Sequence, residues 1–129
     1  MMQAQSGICA EPNLHASYLM FDIAAGQEAD VRQALAHFPE LCRDLETSFP
    51  DAAFSGLVAI GAAVWDRLYT HRPPELQPFP PSASPQFQAA VTPFDLFVQF
   101  RADRFDVLHL AGQRLMARLA GRVRLREEY

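Results

Sequence analysis

Apolar residues recur at every second position over Phe94–Ala102 (FDLFVQFRA). Phe94, Leu96, Val98 and Phe100 fall on one face, and Asp95, Phe97, Gln99 and Arg101 on the other. That alternation predicts a β-strand, because successive side chains of an extended chain point to opposite faces. Leu14–Ala24 (LHASYLMFDIA) reads the same way, with Leu19, Phe21 and Ile23 opposite Ala16, Tyr18 and Met20. Both of its faces are fairly apolar, which suits a central strand covered on two sides. Phe54–Gly61 (FSGLVAIG) is a short apolar run bounded by glycine and predicts a buried strand. Val123–Tyr129 (VRLREEY) alternates and predicts a last strand, with Arg122, Arg124 and Arg126 on its polar side.

Helical spacing fills the gaps. Val31, Leu35, Phe38, Cys42, Leu45 and Phe49 recur at intervals of three and four, so Gln27–Phe49 predicts an amphipathic helix. Pro39 either kinks it or starts a second helix, and Pro50-Asp51 ends it. Ala62–Tyr69 fits a short helix. A third helix is expected from Asp103 to about Ala120, with Phe105, Leu108, Gly112, Leu115 and Leu119 as its stripe. Asp103 is its expected N-cap, Asp106 completes a weak capping box, and Gly121 sits where a helix ends. Residues 1–13 are small, polar and proline-containing and read as a lead-in arm. Thr70–Pro93 holds seven of the ten prolines and reads as a long irregular surface loop. Its Pro78–Pro81 and Pro81–Pro85 stretches fit a polyproline recognition motif only loosely, and an ordinary ordered loop is expected.

The element order is therefore β-α-β-(short α)-β-α-β. Two β-α-β halves of this kind predict an α+β, ferredoxin-like domain over 14–129: a four-stranded antiparallel sheet with helices on one face. The second face then carries Tyr18, Met20 and Phe97, or else the opposite set, and is apolar either way. An exposed apolar patch beyond roughly a few hundred Å² marks an interface. A partner at the sheet face is expected, either a second copy of the chain or a second domain.

Composition narrows the function classes. The chain has 129 residues, enough for one domain with its own core, and is half apolar and one-fifth charged. Its net charge of −4 argues against nucleic-acid binding through phosphate contacts. The charge is uneven: residues 101–129 hold seven arginines against four acids, and residues 1–100 hold four against eleven. All eleven basic residues are arginine, which excludes a Schiff-base lysine and a phosphate-loop lysine. Cys9 and Cys42 make no Cys-x-x-Cys pair and no zinc site, and read as reduced thiols of a cytosolic protein. The first twelve residues lack the basic and apolar regions of a signal peptide, and no apolar run reaches membrane-spanning length. A cytoplasmic chain without nucleic-acid or membrane partners is expected.

Catalytic motifs are absent: no G-x-G-x-x-G, no phosphate-binding loop, no H-E-x-x-H and no G-x-S-x-G. His15, His37, His71 and His109 are scattered, with none four residues from another. His109 flanks the last helix stripe, so it is weighed as a haem or metal ligand against a half-buried helix histidine. His71, beside Arg72, and His37 read as surface residues. Cys42 reads as a small core hydrophobe before a nucleophile. Asp22 and Asp95 lie on neighbouring strands and are weighed as a carboxylate pair. Trp65 and Tyr69 read as core or interface filler before an electron-transfer relay.

Several segments together resemble the N-terminal half of a dye-decolourising (Dyp-type) haem peroxidase. They are Gln5-Ser6-Gly7-Ile8, Phe49-Pro50-Asp51-Ala52, Gly56–Trp65 (GLVAIGAAVW), Phe94-Asp95-Leu96, Phe100–Val107 (FRADRFDV) and Arg126-Glu127-Glu128. They come in the family's order and spacing and cover nearly the whole chain. The resemblance implies two ferredoxin-like halves in the complete enzyme, with haem b held mainly by the C-terminal half, and peroxide-dependent oxidation of dyes or porphyrin-like substrates. It places the distal Asp in a G-x-x-D-G motif beyond the last residue here, with the proximal His and distal Arg later still. This sequence has no Asp-Gly dipeptide, so no family catalytic, cofactor-binding or metal-ligating residue carries onto it. The resemblance thus implies a truncated or split form of the enzyme that binds no haem by itself and is inactive alone. It implies a missing C-terminal half, or a second copy, at the sheet face. Two rival readings are a non-catalytic homodimeric assembly module and a dimeric α+β barrel haem-binding protein with His109 facing the cavity between sheets.

Overall fold

Alternation places Phe21 and Phe100 on the inner face of two central strands, and both are fully buried. The computed structural model describes residues 3–80, 84, 86–87 and 90–129; Pro81 and Pro85 of the polyproline readings lie outside them. The strands are β1 (His15–Ile23), β2 (Ser55–Ile60), β3 (Leu96–Ala102) and β4 (Val123–Glu128). They form one sheet in the order β2-β3-β1-β4, every neighbouring pair antiparallel. The helices are α1 (Glu28–Ala36), α2 (Phe38–Ser48), α3 (Trp65–Leu68) and α4 (Phe105–Leu119), with a single 3₁₀ turn at Pro50–Ala52. This is the ferredoxin-like α+β arrangement expected from the element order.

The core lies between the helices and one face of the sheet. Phe100 is its centre: its ring stacks on Phe38 of α2 at 6.0 Å and tilts against Phe54 at 5.5 Å. Opposite it in register stands Gly56 of β2. A Cβ there would lie 2.8 Å from Cys42 Sγ and 3.0 Å from the Phe100 ring, so only glycine lets α2 pack this close to β2. The proline at Pro39 starts a new helix rather than kinking one. His37 separates α1 from α2, and Pro39 occupies the first turn, where its missing N–H leaves no intrahelical bond unmade.

Two local readings are corrected. Asp103 is not the cap of α4, whose N-cap is Arg104 without any side-chain capping bond. The Asp103 carboxylate instead accepts from Leu14 N at 3.1 Å and Asn13 Nδ2 at 3.3 Å, fastening the lead-in arm. Arg104 braces this helix end by other means: its guanidinium binds Asp51 at 3.0 Å and Asp106 at 2.7 Å and lies over the Phe49 ring. The buried stripe of α4 is Val107, Leu108, Ala111, Leu115 and Leu119, while Phe105 is 69% exposed. The four-residue steps from Val107 through Ala111 and Leu115 to Leu119 form one row, and Phe105 lies off it.

Truncating the central ring tests this account of the core. Phe100→Ala is expected to lower the unfolding free energy by about 3–5 kcal/mol, read by urea denaturation, with an unchanged denaturant slope. A loss below about 1 kcal/mol would mean that Phe100 does not centre the core.

Candidate functional site

Catalytic chemistry needs titratable residues to converge. They do not converge here. His15 is exposed on β1, its ring edge-on to Phe105 at 5.8 Å. His37 is exposed between α1 and α2 and faces Glu40 at 3.3 Å. His71 follows α3, and its carbonyl accepts from Trp65 Nε1 at 2.8 Å. His109 is exposed on α4. Among the described residues no group of three or more His, Cys, Asp or Glu is placed to hold a metal ion.

The carboxylates considered as a pair take separate partners. Asp22 pairs with Arg126 of β4. The Asp95 carboxylate accepts from Ile23 N at 2.8 Å, and its backbone ties the start of β3 to both Phe21 and Gly61. Trp65 and Tyr69 pack ring to ring at 4.8 Å. Cys42 is buried against Gly56, and burial, the largest effect, pushes its thiol up to about 12. A thiol that stays protonated is a core filler, not a nucleophile. Cys9 is exposed.

Two surfaces remain. One is a groove of about 490 Å³ between α4 and the β1–β4 edge, walled by Leu108, His109, Met116, Leu125 and Tyr129. It holds one histidine and, at Glu128, one carboxylate, but no arginine. A haem peroxidase site needs an axial ligand together with distal acid–base and cationic groups around one dry space. The residues lining this groove do not supply that set. His109 also lies on the helix side of the sheet, away from the open face where the paired-sheet barrel reading needs it.

The second surface is that open face. Tyr18 and Met20 of β1, Leu57 and Ala59 of β2, and Phe97 and Gln99 of β3 share it. Tyr18 stacks on Phe97 at 5.9 Å. Among the described residues the helices pack on the opposite face, and Tyr18 keeps 37% of its surface exposed. The alternation in β1 and β3 already placed Tyr18, Met20 and Phe97 together on the sheet side now seen to be open. Sequence reasoning did not place Leu57 and Ala59 on it, because Phe54–Gly61 is a nearly unbroken apolar run that shows no alternation.

Known proteins share this architecture. Residues 5–129 match the family model described as Dyp-type peroxidase, N-terminal. A dye-decolorizing peroxidase of Mycolicibacterium paratuberculosis is 34% identical over 114 residues, 88% of this chain and 32% of that protein. A crystal structure of a Dyp-type peroxidase protein from Shewanella oneidensis superposes with a TM-score of 0.93 at 40% identity, over 99% of this chain and 42% of that one. A DypB variant of Rhodococcus jostii in complex with haem shares the fold at a TM-score of 0.87 and 22% identity, over 97% of this chain and 41% of that one. The chain belongs to the Dyp-type peroxidase family and corresponds to its N-terminal domain. It spans about a third of the length of the curated relatives it matches. Among the described residues no helix is long and apolar enough to cross a membrane.

The contrast between the cysteines is directly measurable. In the native chain at pH 8, a disulfide reagent is expected to label one thiol rapidly, Cys9, and to reach Cys42 only after denaturant is added. Because the Cys42 thiol is raised in the fold, unfolded chains ionise first as pH climbs past 9.0, so stability falls from there toward 12. Cys42→Ala should flatten that fall. Two fast thiols per native chain would contradict the buried assignment.

Proposed function

We propose that this chain is the N-terminal half of a peroxide-dependent oxidase of dyes and porphyrin-like substrates that uses haem b. The haem ligand and the distal acid and cation belong to the C-terminal half. The role of this half is architectural: its open sheet face receives that half and closes one side of the assembled enzyme. Alone, the chain has no peroxidase activity. The observation that carries the reading is the match of the whole domain, residues 5–129, to the family's N-terminal model. Two facts support the division of labour. The chain spans 42% of the Shewanella structure it superposes on. Its own histidines, carboxylates and arginines are dispersed or engaged in pairs. The apolar set Tyr18, Met20, Leu57 and Phe97 supports docking at the face, which a second copy would occupy where the C-terminal half is lacking.

Haemin titration of the purified chain, followed at the Soret band and finished with peroxide and a dye, tests this reading. The expected result is no saturating one-to-one spectral change and no turnover. A saturating one-to-one shift with turnover would overturn it. His109→Ala would then decide whether the groove histidine holds the iron, since loss of the shifted band would place it there.

A further inference from the structure

The two edges of the sheet are protected very differently. β4 is an edge strand with four charged residues among its six, Arg124, Arg126, Glu127 and Glu128, and its pairing with β1 shifts register at Met20/Phe21. Charge and a bulge are both devices that discourage strand addition. β2 has neither. Its sequence is SGLVAI, without charge or proline, and its register with β3 runs unbroken from Ser55 to Ile60. A straight, uncharged, apolar edge strand is a template for pairing with another chain.

What lies on that edge is the N-terminal arm. The Gln5 side-chain amide donates to the Val58 carbonyl at 2.8 Å and accepts from Val58 N at 2.9 Å. One side chain thereby satisfies both outward-facing backbone groups of the middle of β2, as a neighbouring strand would. The turn Gln5–Ile8 follows, closed by Ile8 N to Gln5 O at 3.0 Å. It sets Gly7 so tightly on β2 that a Cβ would collide with the Gly56 carbonyl oxygen. The Arg101 guanidinium, from β3, holds the arm down through Gly7 O at 2.8 Å and Ala10 O at 3.1 Å. Asn13 and Leu14 anchor its far end to Ala53 and Asp103.

We infer that the β2 edge is a latent strand-pairing surface for a second copy of this chain, and that the arm keeps it shut. The occupant is a second β2 edge, not β4. Two uncharged edges meet without placing an unpaired charge between them, whereas β4 would bring its arginines and glutamates against apolar backbone. This inference does not depend on the haem reading, nor on the sheet face, because pairing at an edge uses backbone groups rather than Tyr18 or Phe97.

The test is light scattering after size exclusion, over a range of concentrations, on the intact chain, on Gly7→Ala, on Gln5→Ala, and on a chain beginning at Asn13. The arm-released forms are expected to reach twice the mass of the intact chain as concentration rises. The β2 amides should gain protection from hydrogen exchange at the same time. Val58→Pro in each form removes an outward-facing N–H without touching the β2–β3 ladder, and should return the mass to that of the intact chain. Should the shortened chain fail to fold, Gly7→Ala alone carries the test, since its strand and helix residues are all retained. Arm-released forms that keep the intact mass at every concentration would overturn the inference, as would assembly that survives Val58→Pro.

Discussion

A β-sheet has two faces, and the helices packed on this one cover a single face. β1 is apolar in both phases and β3 adds Phe97 to an otherwise polar outer phase, so burying Leu19, Phe21, Val98 and Phe100 under the helices leaves Tyr18, Met20 and Phe97 on the far side. The inner layer is complete: Phe21, Leu45, Leu96 and Phe100 have essentially no exposure, and Gly56 leaves α2 room to pack on β2 with Cys42 and Phe100 crowding the space where a Cβ would lie. The open face is where we propose that the C-terminal half docks, since the Shewanella structure that shares this fold is more than twice this chain's length.

The polar residues serve the same division. Arg104 ties Asp51 to Asp106 and so links the 3₁₀ turn, the start of α4 and the Phe49 ring. The guanidinium lowers the Asp106 carboxyl below its usual range through direct hydrogen bonds, and Arg67 does the same for Glu28. These pairs are exposed, and each adds little stability. Their consequence is chemical: a carboxylate held ionised by an adjacent arginine is no general acid at neutral pH. Arg104 and Arg67 thus hold Asp51, Asp106 and Glu28 in local ion pairs.

Much of this was legible in residue order. FDLFVQFRA could only be a strand with two different faces, and the element sequence led to the ferredoxin-like arrangement. Pro39 marked the junction of α1 and α2, though only the structure shows that it starts a helix. Short-range rules failed where a distant partner decided the outcome. Asp103 has the chemistry of a helix cap, yet Asn13 and Leu14, some ninety residues earlier in the chain, take its carboxylate. Phe105 fits a three-then-four stripe, but the sheet draws in Val107 and Ala111 instead. Asp22 and Asp95 were adjacent on paper, but each carboxylate takes its own partner, Arg126 and Ile23 N. The arm carried no periodic signal at all. Gln5, Gly7 and Arg101 act through backbone groups about fifty to ninety residues away, which no local pattern records.

The central claim is that the core is one-sided and that the Tyr18–Phe97 face is open in this chain. Urea unfolding of Phe97→Asp tests it most directly. A charge placed on an open face loses only the ring pair and some half-buried area, so the account predicts one cooperative transition within about 1.5 kcal/mol of the unaltered chain. A loss of about 3–5 kcal/mol, the scale of a buried aromatic, would show that the face is itself core and contradict the account.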